Sequence, residues 1–447
     1  MSIKELSLHN FRNISTLNID LRDNKVLCFV GENGSSKTSV LSLIVESIAM
    51  NTSTKFPNYV TQGNKRYRAV SASEINREEK FYAFQITYSD IFGKDFIYKK
   101  LVVRDRDLPI EDYNEIISGV TIKNNFFSEV RHKVSKIQSK EDFVQANVFL
   151  YRPGSRYESY DFDYMKNDSD FSKLENSDNK WGEFPYSFEV SYVGKNLRTI
   201  VLEMVYDAIL GYKDSRLGVN KIGDILQQIT GKDFGKMSIT KSPFRTVHFG
   251  NVGHIDSLSQ GEMDIFVTIS SIIKRQLYIY QKYDEDECES LGISSFFHIP
   301  GIVIIDEIDL HLHPRAQERY IDVLTNIFPN INFIISTHSP FIIRGLPENS
   351  LVVSLPSGLS FEENFKAMDI DSITNIIFKY EGGFSRETEL LLKEFKALIV
   401  SENNDLEKLK SIYSSLSTSE SAKEELQLLM ATFSPLDKIK AIMGDEQ

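Results

Sequence analysis

Three stretches of the chain predict an α/β fold built on a buried, mixed to largely parallel sheet. Lys25 to Val30 and Gly301 to Ile305 are short apolar runs without alternation, as expected of strands covered on both faces. The first enters a glycine-containing loop, Gly31 to Thr38, followed by a segment of helical period (Val40, Leu41, Leu43, Ile44, Val45, Ile48). The second ends at two adjacent carboxylates, Asp306 and Glu307. Burying carboxylates beside such a strand is costly unless something pairs with them. At the carboxyl edge of a parallel strand, a metal, a phosphate or a reacting water usually does so.

The remaining elements follow in chain order. Ile3 to Phe11 is expected as an edge strand and Ile14 to Leu21 as a second alternating strand. Phe81 to Tyr88 and Phe96 to Val103 read as a hairpin. Residues 105–180 are the least regular part, rich in Asp, Asn, Ser and Tyr. Within them, Arg131 to Lys140 is a basic cluster, either a solvated helix face or a contact to a phosphate backbone. Leu150 to Tyr157 interleaves two arginines with two tyrosines. It reads either as a surface that stacks on a base or faces a phosphate, or as a loop pinned by tyrosine packing. Leu197 to Leu210 and Val219 to Ile229 have helical period and end near Gly211 and Gly231. Residues 236–256 alternate as a hairpin, Met263 to Leu277 is a helix, Arg315 to Phe328 another, and Ile331 to Ile335 a further buried strand. The expected organisation is a head formed by residues 1–104 and 240–383, an inserted and mostly helical lid region at 105–239, and a packed helical tail at 384–447.

Bulk properties narrow the function. The net charge is −12, so the surface as a whole does not attract polyanions, and contact with DNA needs a local basic patch. Cys28 and Cys288 are the two cysteines, too far apart in sequence to suggest a metal-ligand pair. No apolar stretch reaches the length of a membrane span, and the expected location is cytoplasmic, with no membrane partner.

Strand, glycine loop, Lys-Thr and helix together are an arrangement for phosphate. The N–H groups of Asn33, Gly34, Ser35, Ser36 and Ser39 and of the helix start face phosphate oxygens. Lys37 reaches the β- and γ-phosphates, and Thr38 offers its hydroxyl to Mg2+. Ser36 departs from the pattern G-x-x-x-x-G-K-[ST], which has glycine there. Three more stretches follow in order: Leu258 to Glu262, with a Ser-Gln-Gly turn at a helix start; Ile302 to Glu307; and Ser336 to His338.

In this order the four motifs resemble the ABC-type ATPase head of the SMC, RecF and OLD group, over roughly residues 1–105 and 240–355. The resemblance implies Walker A, signature, Walker B with D-loop, and switch histidine. It implies ATP and Mg2+ as ligands, with Asp306 and Thr38 on the metal. Glu307 would activate the attacking water, and His338 would contact the γ-phosphate. Ser259, Gln260, Gly261 and Asp309 would meet the nucleotide of a second subunit, so a homodimer, or a higher even-numbered homo-oligomer, is implied. Asp309, His311 and His313 could alternatively be metal ligands at alternate positions; their place after the Asp-Glu pair suits a D-loop better. Gln62 and Gln85 are candidates for the glutamine that such ATPases place near the metal, and neither is assigned.

Long coiled coils and the OLD nuclease constellation are both absent from the sequence. In Asp369 to Phe378, Ser385 to Thr388 and the charged helices that follow, the chain resembles the tails of the stand-alone ATPases of anti-phage defence, of the Septu type or associated with retrons. The Septu type works with a separate HNH-type nuclease. Alternatives are a DNA-repair ATPase acting directly on DNA and a nucleotide-gated scaffold with little turnover.

Overall fold

In the computed structural model, the described residues are 2–21, 24–52, 74–89, 95–103, 130–134, 147–154, 195–241, 246–380, 385–400 and 405–433. They form two compact units, Met1–Ile373 and Thr374–Gln447. The second unit thus starts ten residues before the expected tail.

The strands of the first unit are β1 (Ser2–Phe11), β2 (Ile14–Asp20), β3 (Val26–Val30), β4 (Phe81–Ser89), β5 (Asp95–Val103), β6 (Val130–Val134), β7 (Val148–Arg152), β8 (Met237–Ile239), β9 (Val247–Phe249), β10 (Gly253–His254), β11 (Gly301–Ile305), β12 (Ile331–Ser336), β13 (Ser350–Ser354) and β14 (Leu359–Phe361). Its helices are α1 (Lys37–Thr52), α2 (Lys195–Leu210), α3 (Lys213–Thr230), α4 (Gln260–Tyr280), α5 (Glu285–Ser290), α6 (Pro314–Ile327) and α7 (Pro340–Arg344), and α8 (Ile370–Ile376) spans the boundary.

The core sheet has the order β14-β13-β3-β12-β11-β7. Every neighbouring pair from β13 to β7 is parallel, and only β14 is antiparallel. Every residue of β3, β7, β11 and β13 is buried, which explains the unbroken apolar composition of β3 and β11; β7 ends in Arg152, and β13 begins and ends in serine. Burying each Ile or Val of β11 contributes about 1.5–3 kcal/mol. Because β3, β12 and β11 are neighbours and run the same way, their carboxyl ends open side by side. Ile305 lies opposite Ile335, and Ser336 opposite Phe29. Here the loops after the strands can share a ligand.

The second sheet is antiparallel, β2-β1-β4-β5-β6. Helix α1 packs against β12 of the core sheet and β4 of this one. Its residues Val40, Leu41, Leu43, Ile44, Val45 and Ile48 are all buried. Between α1 and β5, Lys100 donates to Glu46 at 2.7 Å within this apolar layer. Helix α4 packs on β7 and on α3, and α3 also meets α6.

Four expectations are corrected. β1 is interior, between β2 and β4; alternation reports which face is buried, not whether a strand has neighbours on both sides. The basic stretch is a strand rather than a helix face over Val130–Val134, paired to β5. Leu150–Arg152 is neither a stacking surface nor a loop but part of β7, next to β11. Consequently 105–239 is not a lid throughout, since β6 and β7 complete the two sheets of the head. Ser135 to Lys140 and Ser155 to Tyr157 lie outside the described residues.

In the second unit, α9 (Arg386–Val400), α10 (Leu406–Leu416) and α11 (Glu420–Phe433) share a core of Leu392, Phe395, Ile399, Leu409, Ile412, Leu416, Leu426 and Met430. These are the apolar positions of three amphipathic helices turned toward one another.

Candidate nucleotide site

The loop between β3 and α1 lies at the centre of the carboxyl edge. Ser35, Ser36, Lys37 and Ser39 are buried, whereas Asn33, Gly34 and Thr38 are exposed. Lys37 Nζ donates to Gly31 O at 2.8 Å and Glu32 O at 2.9 Å, with Ser35 Oγ at 3.3 Å. Burial pushes its ammonium pKa below the ordinary lysine value, against the opposing pull of Asp306, Glu307 and Asp309. An anion entering the loop would favour the charged ammonium.

Ser36 has φ 80°, the left-handed region that its glycine counterpart adopts freely. Its hydroxyl donates to Asn13 Oδ1 at 2.6 Å, tying the loop to the β1–β2 turn. Asn13 Nδ2 also approaches Gly34 O, at 3.4 Å. Serine therefore replaces conformational freedom with a tether. Ser36→Ala keeps the backbone cost and loses the bond, so stability should fall by about 1 kcal/mol. Ser36→Gly loses the bond and relieves the backbone, leaving stability within about 0.5 kcal/mol of the original. Urea unfolding midpoints of the two variants check this.

The carboxylates sit across from the loop. Thr38 Oγ1 donates to Asp306 Oδ2 at 2.8 Å, and Ser336 Oγ donates to Asp306 Oδ1 at 2.5 Å. Ser336 Oγ also accepts from Glu307 N at 2.8 Å, so one hydroxyl at the end of β12 fixes both acidic residues. Asp306 is buried and Glu307 half-buried, with Glu307 at φ 50°, an uncommon backbone state for a side chain of this size. A Cβ on Gly154 would lie 3.1 Å from Glu307 Cδ and 3.2 Å from Asp306 Oδ2. Glycine at the end of β7 thus keeps space open beside both carboxylates. The oxygen-only pair of Thr38 and Asp306 suits Mg2+, a hard cation that takes oxygen ligands. Among the described residues no group of three or more His, Cys, Asp or Glu side chains is arranged to hold a metal by itself.

Asp309 is hydrogen-bonded within its own chain. Its Oδ1 accepts from Thr337 Oγ1 at 2.5 Å and from His338 N at 3.3 Å. His338 stands beside the loop, only partly shielded from solvent, and its pKa is pushed below the ordinary histidine value by that partial burial and then by Lys37. The neutral imidazole is favoured at neutral pH. His313 caps α6, accepting from Arg315 N at 3.4 Å. With Asp309 bonded to the Thr337 hydroxyl and the His338 N–H, and His313 capping a helix, the alternate-ligand reading of 309–313 loses its donor set.

Ser259, at the start of α4, is exposed with Gln260. Its hydroxyl accepts from Glu262 N at 3.3 Å, and Glu262 Oε2 accepts from Ser259 N at 2.8 Å, a reciprocal capping box. Lys232 Nζ holds the other Glu262 oxygen at 3.0 Å. Gly261 is buried against the 309–313 loop, where a Cβ would stand 2.4 Å from His311 O. Only glycine permits this approach. Gln85 lies in β4, opposite Ser7 and Lys99. Gln62 is outside the described residues.

Asn13, Gly154 and Ser336 escape assignment from sequence. Ser336 reads there only as the lead-in to His338; its place at the end of an apolar run is the available signal. Asn13 and Gly154 carry none, because their neighbours in space are remote in sequence.

The loop on β3, the carboxylates on β11 and the hydroxyl on β12 define a P-loop nucleotide-binding head. The chain belongs to the AAA ATPase domain family, which it matches over residues 1–343. It is 27% identical over 197 residues to the Retron Vc95 probable ATPase of Vibrio cholerae serotype O1 biovar El Tor, covering 40% of this chain and 35% of that protein. It is 28% identical over 211 residues to the Septu protein PtuA of Bacillus mycoides (strain KBAB4), covering 46% of this chain and 26% of that protein. The matched segments thus span about a third or less of these relatives. Among solved structures, an SMC head bound to the C-terminal winged-helix domain of ScpA aligns with TM-score 0.44 and 14% identity, over 80% of this chain and 96% of that one. No described helix is long and apolar enough to cross a membrane.

Proposed function

We propose that the chain binds Mg-ATP and hydrolyses it at sites shared between two copies, and that it governs a separate nuclease in anti-phage defence. The carrying observation is the convergence of Lys37, Thr38, Asp306, Ser336 and Glu307 on one sheet edge. Mg2+, when bound, would neutralise phosphate charge from Thr38 and Asp306. Lys37 and the loop N–H groups would hold the phosphates. Glu307 would orient the attacking water and accept its proton, in the space that Gly154 leaves. His338 would donate to the transferred group.

The exposed Ser259 and Gln260 would complete the site on a second copy, giving a homodimer or a higher even-numbered assembly. Septu and retron relatives support the defence reading, and the resemblance read from the sequence implies an HNH-type nuclease as the partner class. Sedimentation of Glu307→Gln with and without Mg-ATP tests the assembly. Association should require nucleotide and should be abolished by adding Ser259→Arg. A nucleotide-independent monomer would overturn the shared site. Co-purification with the neighbouring gene product tests the partner. Salt-sensitive duplex binding by the chain alone would favour the DNA-repair alternative instead.

A slow-turnover scaffold is the second reading, favoured by Lys37 held within its own loop and by the Ser36 tether. Equally slow ATP turnover in the parent protein and Glu307→Gln would support it.

A further inference from the structure

We infer that Gln317 is a positioning residue that couples the 309–312 loop to the histidine loop, residues 336–339, within one chain. The inference rests on the ATPase reading for its effect on turnover, but the coupling itself is read from hydrogen bonds. Gln317 lies in the first turn of α6 and is 9% exposed. Its Nε2 donates to Asp309 O at 3.1 Å and to Leu312 O at 2.9 Å. Its Oε1 accepts from Ser339 Oγ at 2.6 Å. One planar amide thus has both donors on one loop and its acceptor on the other. The orientation of the amide is set by these partners, since two carbonyl oxygens can only accept.

Further bonds connect the same two loops. Thr337 Oγ1 donates to Asp309 Oδ1 at 2.5 Å and accepts from Ser339 N at 2.9 Å. Ile308 N donates to Ser336 O at 3.0 Å, beside the hydroxyl that fixes Asp306 and Glu307. On its far side the 309–312 loop abuts Gly261 through His311 O. A shift of α4 at Gly261 would therefore meet His311, then the Asp309 and Leu312 carbonyls, then Gln317, and finally the backbone that carries His338. Such a path needs no change in Lys37 or Thr38, so it bears on the chemical step rather than on nucleotide affinity. Nothing in the sequence marks Gln317: a polar residue early in an amphipathic helix is commonplace.

The test combines kinetics with hydrogen exchange on the full chain. Gln317→Met keeps the volume and removes all three bonds, whereas Gln317→Glu keeps the acceptor and removes both donors. Both variants should lower kcat about 10- to 100-fold, as small misplacements of reacting groups do. Affinity for ATP should stay within about twofold, because the lost interaction acts in the transition state. Ser339→Ala should speed amide exchange in peptides covering 308–313, which it does not touch. In the Gln317→Met background it should add nothing there.

An undiminished kcat in both Gln317 variants would overturn the inference. So would additive exchange effects, or a loss confined to ATP affinity and thermal midpoint. A parent protein that turns over no ATP would overturn the ATPase reading alone, because the exchange data still decide the coupling.

Discussion

Glu307→Gln is expected to lower ATP turnover by about 10²–10⁴-fold, the usual contribution of a positioned general base. The amide keeps the shape of the carboxylate and loses its capacity to take a proton from water. Nucleotide binding should persist, because Lys37, Thr38 and Asp306 are unaltered and Glu307 reaches Ser336 through its backbone N–H. The backbone at φ 50° tolerates glutamine as well as glutamate, so folding is not at stake. Single-turnover measurements with labelled ATP would show bound, uncleaved nucleotide accumulating. Turnover within about twofold of the parent protein would remove Glu307 from the reaction.

The largest expected effect on stability lies at a pair that does no chemistry. Arg152, the last residue of β7, is bonded through its guanidinium to Asp264 on α4, and both side chains are almost wholly buried. Separately, the Arg152 carbonyl accepts from Asp306 N at 2.9 Å. Asp264→Ala would take this countercharge from a guanidinium in the interior, at a cost of about 3–5 kcal/mol. Joint replacement by apolar residues, Arg152→Met with Asp264→Leu, should recover most of that loss, since both charges then leave together. Urea unfolding of the single and double variants separates the outcomes. A single variant within about 1 kcal/mol of the parent would mean that water or another group compensates the charge.

How far the sequence reveals the molecule depends on how local the information is. The β3 strand, its loop and α1 are contiguous, and their apolar runs are buried in the structure as read. The same holds for β11 and β12, whose run of aliphatics needs both faces covered. β7 escapes such a reading because its signal is non-local. A strand ending in arginine looks exposed until Asp264, more than a hundred residues later, supplies the countercharge. Two flanking tyrosines strengthen the wrong reading of that stretch. Likewise Ser36 looks like a weakened loop. Its tether to Asn13 needs the β1–β2 turn to arrive beside the loop, which no spacing in the sequence announces.

The capping box at Ser259 sets a condition on timing for the shared-site reading. At rest, the Ser259 N–H at the start of α4 is already served by a carboxylate that Lys232 holds in place, and the Glu262 N–H by the Ser259 hydroxyl. An incoming triphosphate carries the same sign as Glu262 and would compete for the same donors. Engagement then becomes an exchange of one anion for another. Its rate would fall with whatever strengthens the hold of Lys232 on Glu262 and would rise when that lysine is neutralised. On the shared-site reading, the helix start would act as a latch with its own release, distinct from nucleotide loading in the loop on β3. A copy loaded with nucleotide could therefore wait, filled but uncommitted, until its partner's latch opens.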